Sequence, residues 1–206
     1  MTDLDRTDPA ATSRAVDGRV ARRERNIAAV LDVVLEMFAE EALFPTMEQV
    51  ASRSGLSLRS LYRYFADPGE LLEAVILRTR EQGVGAATIS GIGRGSLDDR
   101  IVTFVAVRLR LYERFGAVYR ATTANAPRLE RIREEQARTR GQLRDQLETQ
   151  FAPELDRLDA TERKEVVAAA DLLTQFDAID LLVRHAELTD AEIETTLRSA
   201  LRKVLA

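Results

Sequence analysis

The sequence predicts an all-α protein, on three observations. Apolar residues recur at intervals of three and four along most of the 206 residues, and no segment alternates with the period of two that a half-buried strand requires. Capping residues stand just ahead of several of these periodic runs. Hydrophobic residues make up 45% of the chain, too many for a disordered polypeptide and enough for one sizeable core or two small ones.

Residues 1–18 are rich in Asp, Thr, Ala and Ser without an apolar stripe, so a disordered tail is expected there. Arg19, Arg22, Arg23 and Arg25 then lead into a strongly periodic helix with Ile27, Leu31, Val34, Leu35, Phe38 and Ala42 on one side. Cations are slightly unfavourable near a helix N-terminus, so an anionic partner accounts for that arginine cluster better than solvent does.

Two short helices across a tight turn are expected over residues 46–65. Thr46 can cap the first, and Met47, Val50 and Ala51 form its narrow apolar face. Gly55 ends it, because a residue without a Cβ adopts the left-handed conformation at little cost. Ser57 caps the second, with Leu58, Leu61 and Phe65 as its stripe and Arg59, Ser60, Tyr62, Arg63 and Tyr64 pointing outward. This is a helix-turn-helix pattern. The bland reading is a capped helical hairpin in a bundle. Against it, the eighteen residues from Gln49 to Ala66 hold Arg53, Arg59 and Arg63 and no carboxylate. Guanidinium and hydroxyl groups are those that reach phosphates and base edges, so DNA is the expected partner.

Downstream, a helix from Pro68 through Leu71, Leu72, Val75 and Ile76 to near Gln82 is expected, with Pro68 in its first turn. Gly83, Gly85, Gly91, Gly93 and Gly95 mark a hinge or domain junction rather than a phosphate loop, since no Gly-Lys-Ser/Thr ending is present. A helix over 97–115 is expected to break near Gly116 and continue over 117–124. A longer one starts at Asn125-Ala-Pro127, carries Leu129, Ile132, Leu143, Leu147 and Phe151, and stops at Pro153. Thr161 is expected to cap a helix over 162–187, apolar around much of its circumference, and Thr189 a final one with Ile193, Leu197, Leu201 and Val204. The excess apolar surface of these last two helices suits a homodimer, although one chain's own core could consume it.

The net charge of −4 divides evenly, −2 over residues 1–80 and −2 over 81–206, so attraction to DNA has to come from local placement of charge. No cysteine, no run of eighteen apolar residues and no apolar leader segment is present, which predicts a cytoplasmic protein without disulfides or a membrane span. With one histidine (His185, read as a surface residue), no metal-ligand spacing and no nucleophile motif, neither an enzyme nor a cofactor is expected.

The segment Thr46-Met-Glu-Gln-Val-Ala, then Gly55-Leu-Ser, Leu61-Tyr-Arg-Tyr-Phe and Glu70-Leu-Leu-Glu-Ala-Val resembles the DNA-binding region of the TetR (tetracycline-repressor) family of transcriptional regulators. The resemblance spans roughly residues 22–76. One departure stands out: where the family commonly places a phosphate-binding Lys, this chain reads Asp67-Pro68-Gly69. The resemblance implies a helix-turn-helix DNA-binding domain over 19–66, a connecting helix over 67–82, and a helical ligand-binding and dimerisation domain over 83–206. It implies that Ser57, Arg59, Ser60 and Tyr62 face bases or nearby phosphates of a palindromic operator. Thr46, Arg63, Tyr64, Arg22 and Arg23 would hold the backbone. It further implies a repressor released by a small-molecule effector, for which Phe104, Arg108, Tyr112, Phe115, Tyr119 and Asn125, opposite Asp171, Gln175 and Phe176, are candidate lining residues. The alternative left open is a ligand-binding or protein-interaction module that keeps a degenerate helix-turn-helix.

Overall fold

The computed structural model describes residues 9–40, 45–125 and 130–206, and all regular structure among them is helical. Ten helices are seen among the described residues: α1 (Pro9–Glu40), α2 (Met47–Ser54), α3 (Leu58–Tyr64), α4 (Pro68–Ala86), α5 (Leu97–Asn125), α6 (Glu130–Gln150), α7 (Ala152–Leu155), α8 (Ala160–Thr174), α9 (Phe176–His185) and α10 (Asp190–Leu205). The chain divides into two compact units at Val75/Ile76, inside α4. The glycine-rich stretch, read from sequence as a junction, therefore lies within the second unit. Residues 9–18 belong to α1 rather than to a tail. Residues 1–8, Ala42, Pro127, Leu129 and the side chain of Asn125 lie outside what is described.

The first unit is built by local signals. Thr46 and Gln49 form a reciprocal capping box on α2: the Thr46 hydroxyl accepts from the Gln49 N–H and the Gln49 side chain accepts from the Thr46 N–H. Gly55 closes α2 at φ 69°, in the left-handed region, and sends the chain into α3. α1 packs on α2 and α2 on α3. Val30, Leu31, Val34 and Phe38 of α1, Met47, Val50 and Ala51 of α2, and Leu61 and Phe65 are buried. Leu58, expected on that stripe, stands 36% exposed. It occupies the first position of α3, where the apolar face has not yet turned inward.

In the second unit α10 packs against α5 and α8, α5 also against α6 and α9, and α6 against α8. One cluster holds Phe104, Val105, Leu147, Phe151, Leu155, Val167, Ala170 and Ile179. Ile193, Leu197, Leu201 and Leu205 of α10 join it, so the last helix spends its stripe within its own chain. Large apolar side chains stay exposed on α8 and α9 instead: Leu172 at 70%, Leu181 at 59% and Val183 at 41%.

Three expected boundaries move. Gly116 does not break α5, and the Tyr112 ring lies over it, as near as 3.0 Å to where a Cβ would stand. The expected helix over 162–187 is two helices. Asp159, not Thr161, caps α8 in a capping box with Glu162. Gln175 then takes an extended conformation (φ −74°, ψ 157°) between α8 and α9. Pro153 stands in the first turn of the short helix α7, following the end of α6. Gly93 (φ 76°) is fixed from three sides. Its N–H donates to Gln150, its carbonyl accepts from Arg100, and a Cβ would come within 3.2 Å of the Thr149 carbonyl.

Candidate nucleic-acid interface and ligand pocket

α3 begins at Ser57, whose hydroxyl accepts from the Ser60 N–H at 3.1 Å and donates to the Ser60 hydroxyl at 2.9 Å. The two serines thus organise the start of the helix together. Arg59, Tyr62 and Arg63 are exposed, Tyr62 to 45%. Among the described residues Arg59 has no carboxylate partner. Arg53 differs: it is held bidentately by Glu40 of α1, so its charge is already matched. Thr46, also exposed, is occupied by its capping box.

Tyr64 is not an outward side chain as expected but a half-buried one wedged between α3 and α1. Asn26 donates to its hydroxyl at 3.0 Å. The guanidinium groups of Arg23 and Arg63 sit 5.9 Å and 5.4 Å from its ring centroid, within cation–π range. The Asn26 hydrogen bond first, then the Arg63 hydrogen bond and the fields of Arg63 and Arg22, hold its phenol below the ordinary range. Arg22, Arg23, Arg63 and Tyr64 are therefore one cationic, aromatic cluster made from two helices. Sequence spacing shows both halves; that Asn26 joins them was not legible, because it needs the angle between α1 and α3.

The place of the missing Lys is filled by a cap. The Asp67 carboxylate accepts from the Glu70 N–H at 2.9 Å, and the Glu70 carboxylate accepts from the Ala66 N–H at 2.5 Å. With Pro68 first in the helix, α4 satisfies its own N-terminus, and two carboxylates stand where a phosphate would otherwise be attracted.

The second unit encloses a pocket of about 200 Å³. Ile76, Leu111, Phe115, Val118, Ile132, Leu143 and Phe176 give it apolar walls, and Arg80, Glu135, Gln136, Arg140, Gln146, Gln175 and Tyr119 supply polar groups. Phe115, Tyr119, Gln175 and Phe176 of the sequence candidates line it. Phe104, Arg108, Tyr112 and Asp171 do not. Phe104 packs edge-on to Phe151 in the core at 5.2 Å. Asp171 accepts from the Gln175 side chain at 2.6 Å, so these two polar groups satisfy each other. Tyr112 donates to Asp180 at 2.5 Å, with Arg120 donating to both. Tyr119 donates to Asp177, with Arg140 donating to both at 3.1 and 2.9 Å. Both rings stand edge-on to Phe176. Burial first, then the bond to Asp180, pushes the Tyr112 phenol up to about 12. The contributions of α4 and α6 to the pocket were missed, because charged residues such as Arg80 and Glu135 give no sequence signal that they face a cavity; here they pair at 3.2 Å.

Among the described residues no group of metal-ligating side chains is found, and no helix is long and apolar enough to cross a membrane.

The fold, an N-terminal helix-turn-helix unit followed by a helical unit, is one that solved structures share. Among solved structures the chain is similar to the multidrug binding protein EbrR complexed with imidazole, at 20% identity, 90% coverage of both chains and a TM-score of 0.59. It is similar to a TetR transcriptional regulator from Rhodococcus sp. RHA1, at 18% identity, covering 89% of this chain and 97% of that one, with a TM-score of 0.54. Salmonella enterica GusR shares 19% identity over 88% of this chain and 95% of its own, with a TM-score of 0.56. At such identities the likeness is one of fold. No family model matches the chain, and no curated protein matches it.

Proposed function

We propose that this protein is a dimeric, sequence-specific DNA-binding regulator, a repressor that a small molecule releases from a palindromic operator. The observation that carries the reading is the cluster of Arg22, Arg23 and Arg63 around Tyr64, beside the exposed Arg59 and Tyr62 of α3. Cations, a phenol hydroxyl and capped backbone groups together suit a phosphate backbone, while Arg59 suits a base edge. Ser57, Ser60 and Thr46 complete the surface. A single short α3 reads few base pairs, so two copies related by a two-fold axis would be needed, one helical turn apart. The exposed Leu172, Leu181 and Val183 supply an apolar face for that pairing. The pocket would hold the effector, whose preference for one conformation over another shifts DNA affinity.

The test is selection of bound sequences from a random double-stranded DNA library at low salt. A palindrome supports the reading and its half-site spacing gives the separation of the two α3 helices. Failure to enrich any sequence overturns it.

Two observations favour a second reading, an interaction module with a degenerate helix-turn-helix. Glu40 neutralises Arg53, and Asp67 and Glu70 close the start of α4. A salt slope near zero for any DNA binding would support that module, since phosphate contacts release counterions.

A further inference from the structure

The second unit holds a buried cation with no ion-pair partner among the described residues. Arg108 is 1% exposed, with its guanidinium 4.3 Å from the Phe104 ring centroid. It donates through Nη1 to the Gln146 side chain at 2.7 Å and through Nη2 to the Leu143 carbonyl at 2.6 Å. Its Nε is buried with no partner at all. Among the described residues no carboxylate comes within ion-pair distance. Asp171, which accepts a hydrogen bond from the neutral Gln175 side chain, lies beyond that distance, and only its field reaches the guanidinium. Burial lowers the Arg108 guanidinium to about 10, which still leaves it charged at neutral pH. Arg100, whose Nε is likewise buried without a partner, differs in its charge: it is 3% exposed and paired with Glu154.

Taking a charge out of water is costly unless an opposite charge compensates it. Both acceptors of Arg108 belong to residues that line the pocket, so the cation lies one layer behind the pocket wall. The cations of the lining itself are matched, Arg80 by Glu135 at 3.2 Å and Arg140 by Asp177 at 2.9 Å. Arg108 is opposed only by the more distant Asp171, so in a low-dielectric interior part of its field reaches the cavity.

We propose that the pocket selects an amphipathic monoanion, with a compact aromatic or aliphatic body against Phe115 and Phe176 and its carboxylate, or an equivalent group, at the Gln146–Leu143 end, where Arg108 compensates it through the wall. This rests on the reading of the second unit as an effector site and names the chemistry of the effector. Arg108 acts through Gln146 and is a positioning residue. The Gln146 amide accepts from the guanidinium and donates to the Ala87 carbonyl at 2.5 Å, which fixes its orientation.

The test is calorimetric titration of the purified full-length protein with three probes of matched shape: 2-naphthoate, 2-naphthamide and 2-naphthylmethylammonium. The carboxylate is expected to bind about tenfold or more tighter than the amide, and the ammonium weakest. In Arg108→Met that preference is expected to vanish while amide binding persists. Should this variant fail to melt cooperatively, the rank order on the unaltered protein still decides. An amide or ammonium that binds as tightly as the carboxylate overturns the anion assignment and leaves the pocket intact. No binding of any probe, or binding that survives filling the cavity with Val118→Trp, overturns the effector site and this assignment with it.

Discussion

Asn26 of α1 donates from Nδ2 to the Tyr64 hydroxyl of α3 at 3.0 Å, tying the helix that carries the N-terminal arginines to the helix that follows the turn. Asn26→Ala should lower stability by about 1 kcal/mol, the ordinary net worth of such a bond. It should also weaken DNA binding without altering the preferred sequence, since the tie positions cations and touches no base. The urea midpoint and the affinities for cognate and scrambled duplexes check this; an unmoved midpoint would show that the bond carries nothing.

Arg59 and Arg63 should separate cleanly. Arg59→Ala is expected to cost about 1–3 kcal/mol on the cognate site and to relax preference at one base position. Arg63→Ala, beside Tyr64, should weaken all sequences alike and reduce the salt slope by about one. Titrations at several salt concentrations distinguish the two patterns, and equal uniform losses would assign both arginines to phosphates.

Gly55 stands at φ 69° with nothing within 4 Å of where a Cβ would lie. Space is therefore not its reason for being glycine. Gly55→Ala should destabilise by about 1 kcal/mol, from backbone conformation alone. Gly55→Asn should cost less, because Asn visits the left-handed region more readily. Thermal melts of the two variants check the order.

Tyr112 makes stability sensitive to alkali. Its phenol is pushed to about 12 when folded, against an ordinary value near 10. The folded chain therefore keeps a proton that the unfolded chain releases, and stability falls as pH rises from about 10 to about 12. Below 10 the contribution is fully present. Tyr112→Phe should flatten that limb of the denaturation profile. A limb of unchanged steepness in the variant would place the titration elsewhere.

Leu172 and Leu181 are exposed in the single chain, so Asp at either position should leave the monomer's own packing intact. If they form the pairing face, Leu172→Asp with Leu181→Asp should give a monomer by sedimentation and abolish binding to the palindrome. A dimer that survives both changes places the interface on another surface.

What could be read from sequence was what local chemistry decides. Thr46, Gly55 and Ser57 delimit α2 and α3 through hydrogen bonds and φ angles within a few residues, and periodicity alone exposed the buried face of Met47, Val50 and Ala51. The misreadings turn on packing and on competing side-chain bonds that periodicity does not register. Gly116 stays helical because the surrounding packing outweighs its intrinsic cost. Gln175 breaks a run that propensity would continue, and its side chain reaches back to Asp171. Arg108 looked like a ligand group and is instead enclosed by α5 and α6, whereas Arg80 and Glu135, not singled out from sequence, line the cavity. Helix rotation decides such cases, and periodicity fixes that rotation only loosely.

Asp67 and Glu70 close the start of α4 with carboxylates, and Glu40 cancels Arg53. Binding to random DNA depends on phosphate contacts alone, so it suffers the whole of this loss. A cognate complex adds base contacts that the loss leaves untouched. A regulator with this charge arrangement would hold weakly to the bulk of the chromosome and leave a larger share of its copies free. The same loss falls on the cognate complex, so discrimination rests on the base contacts of α3 alone while the grip on every sequence loosens with it.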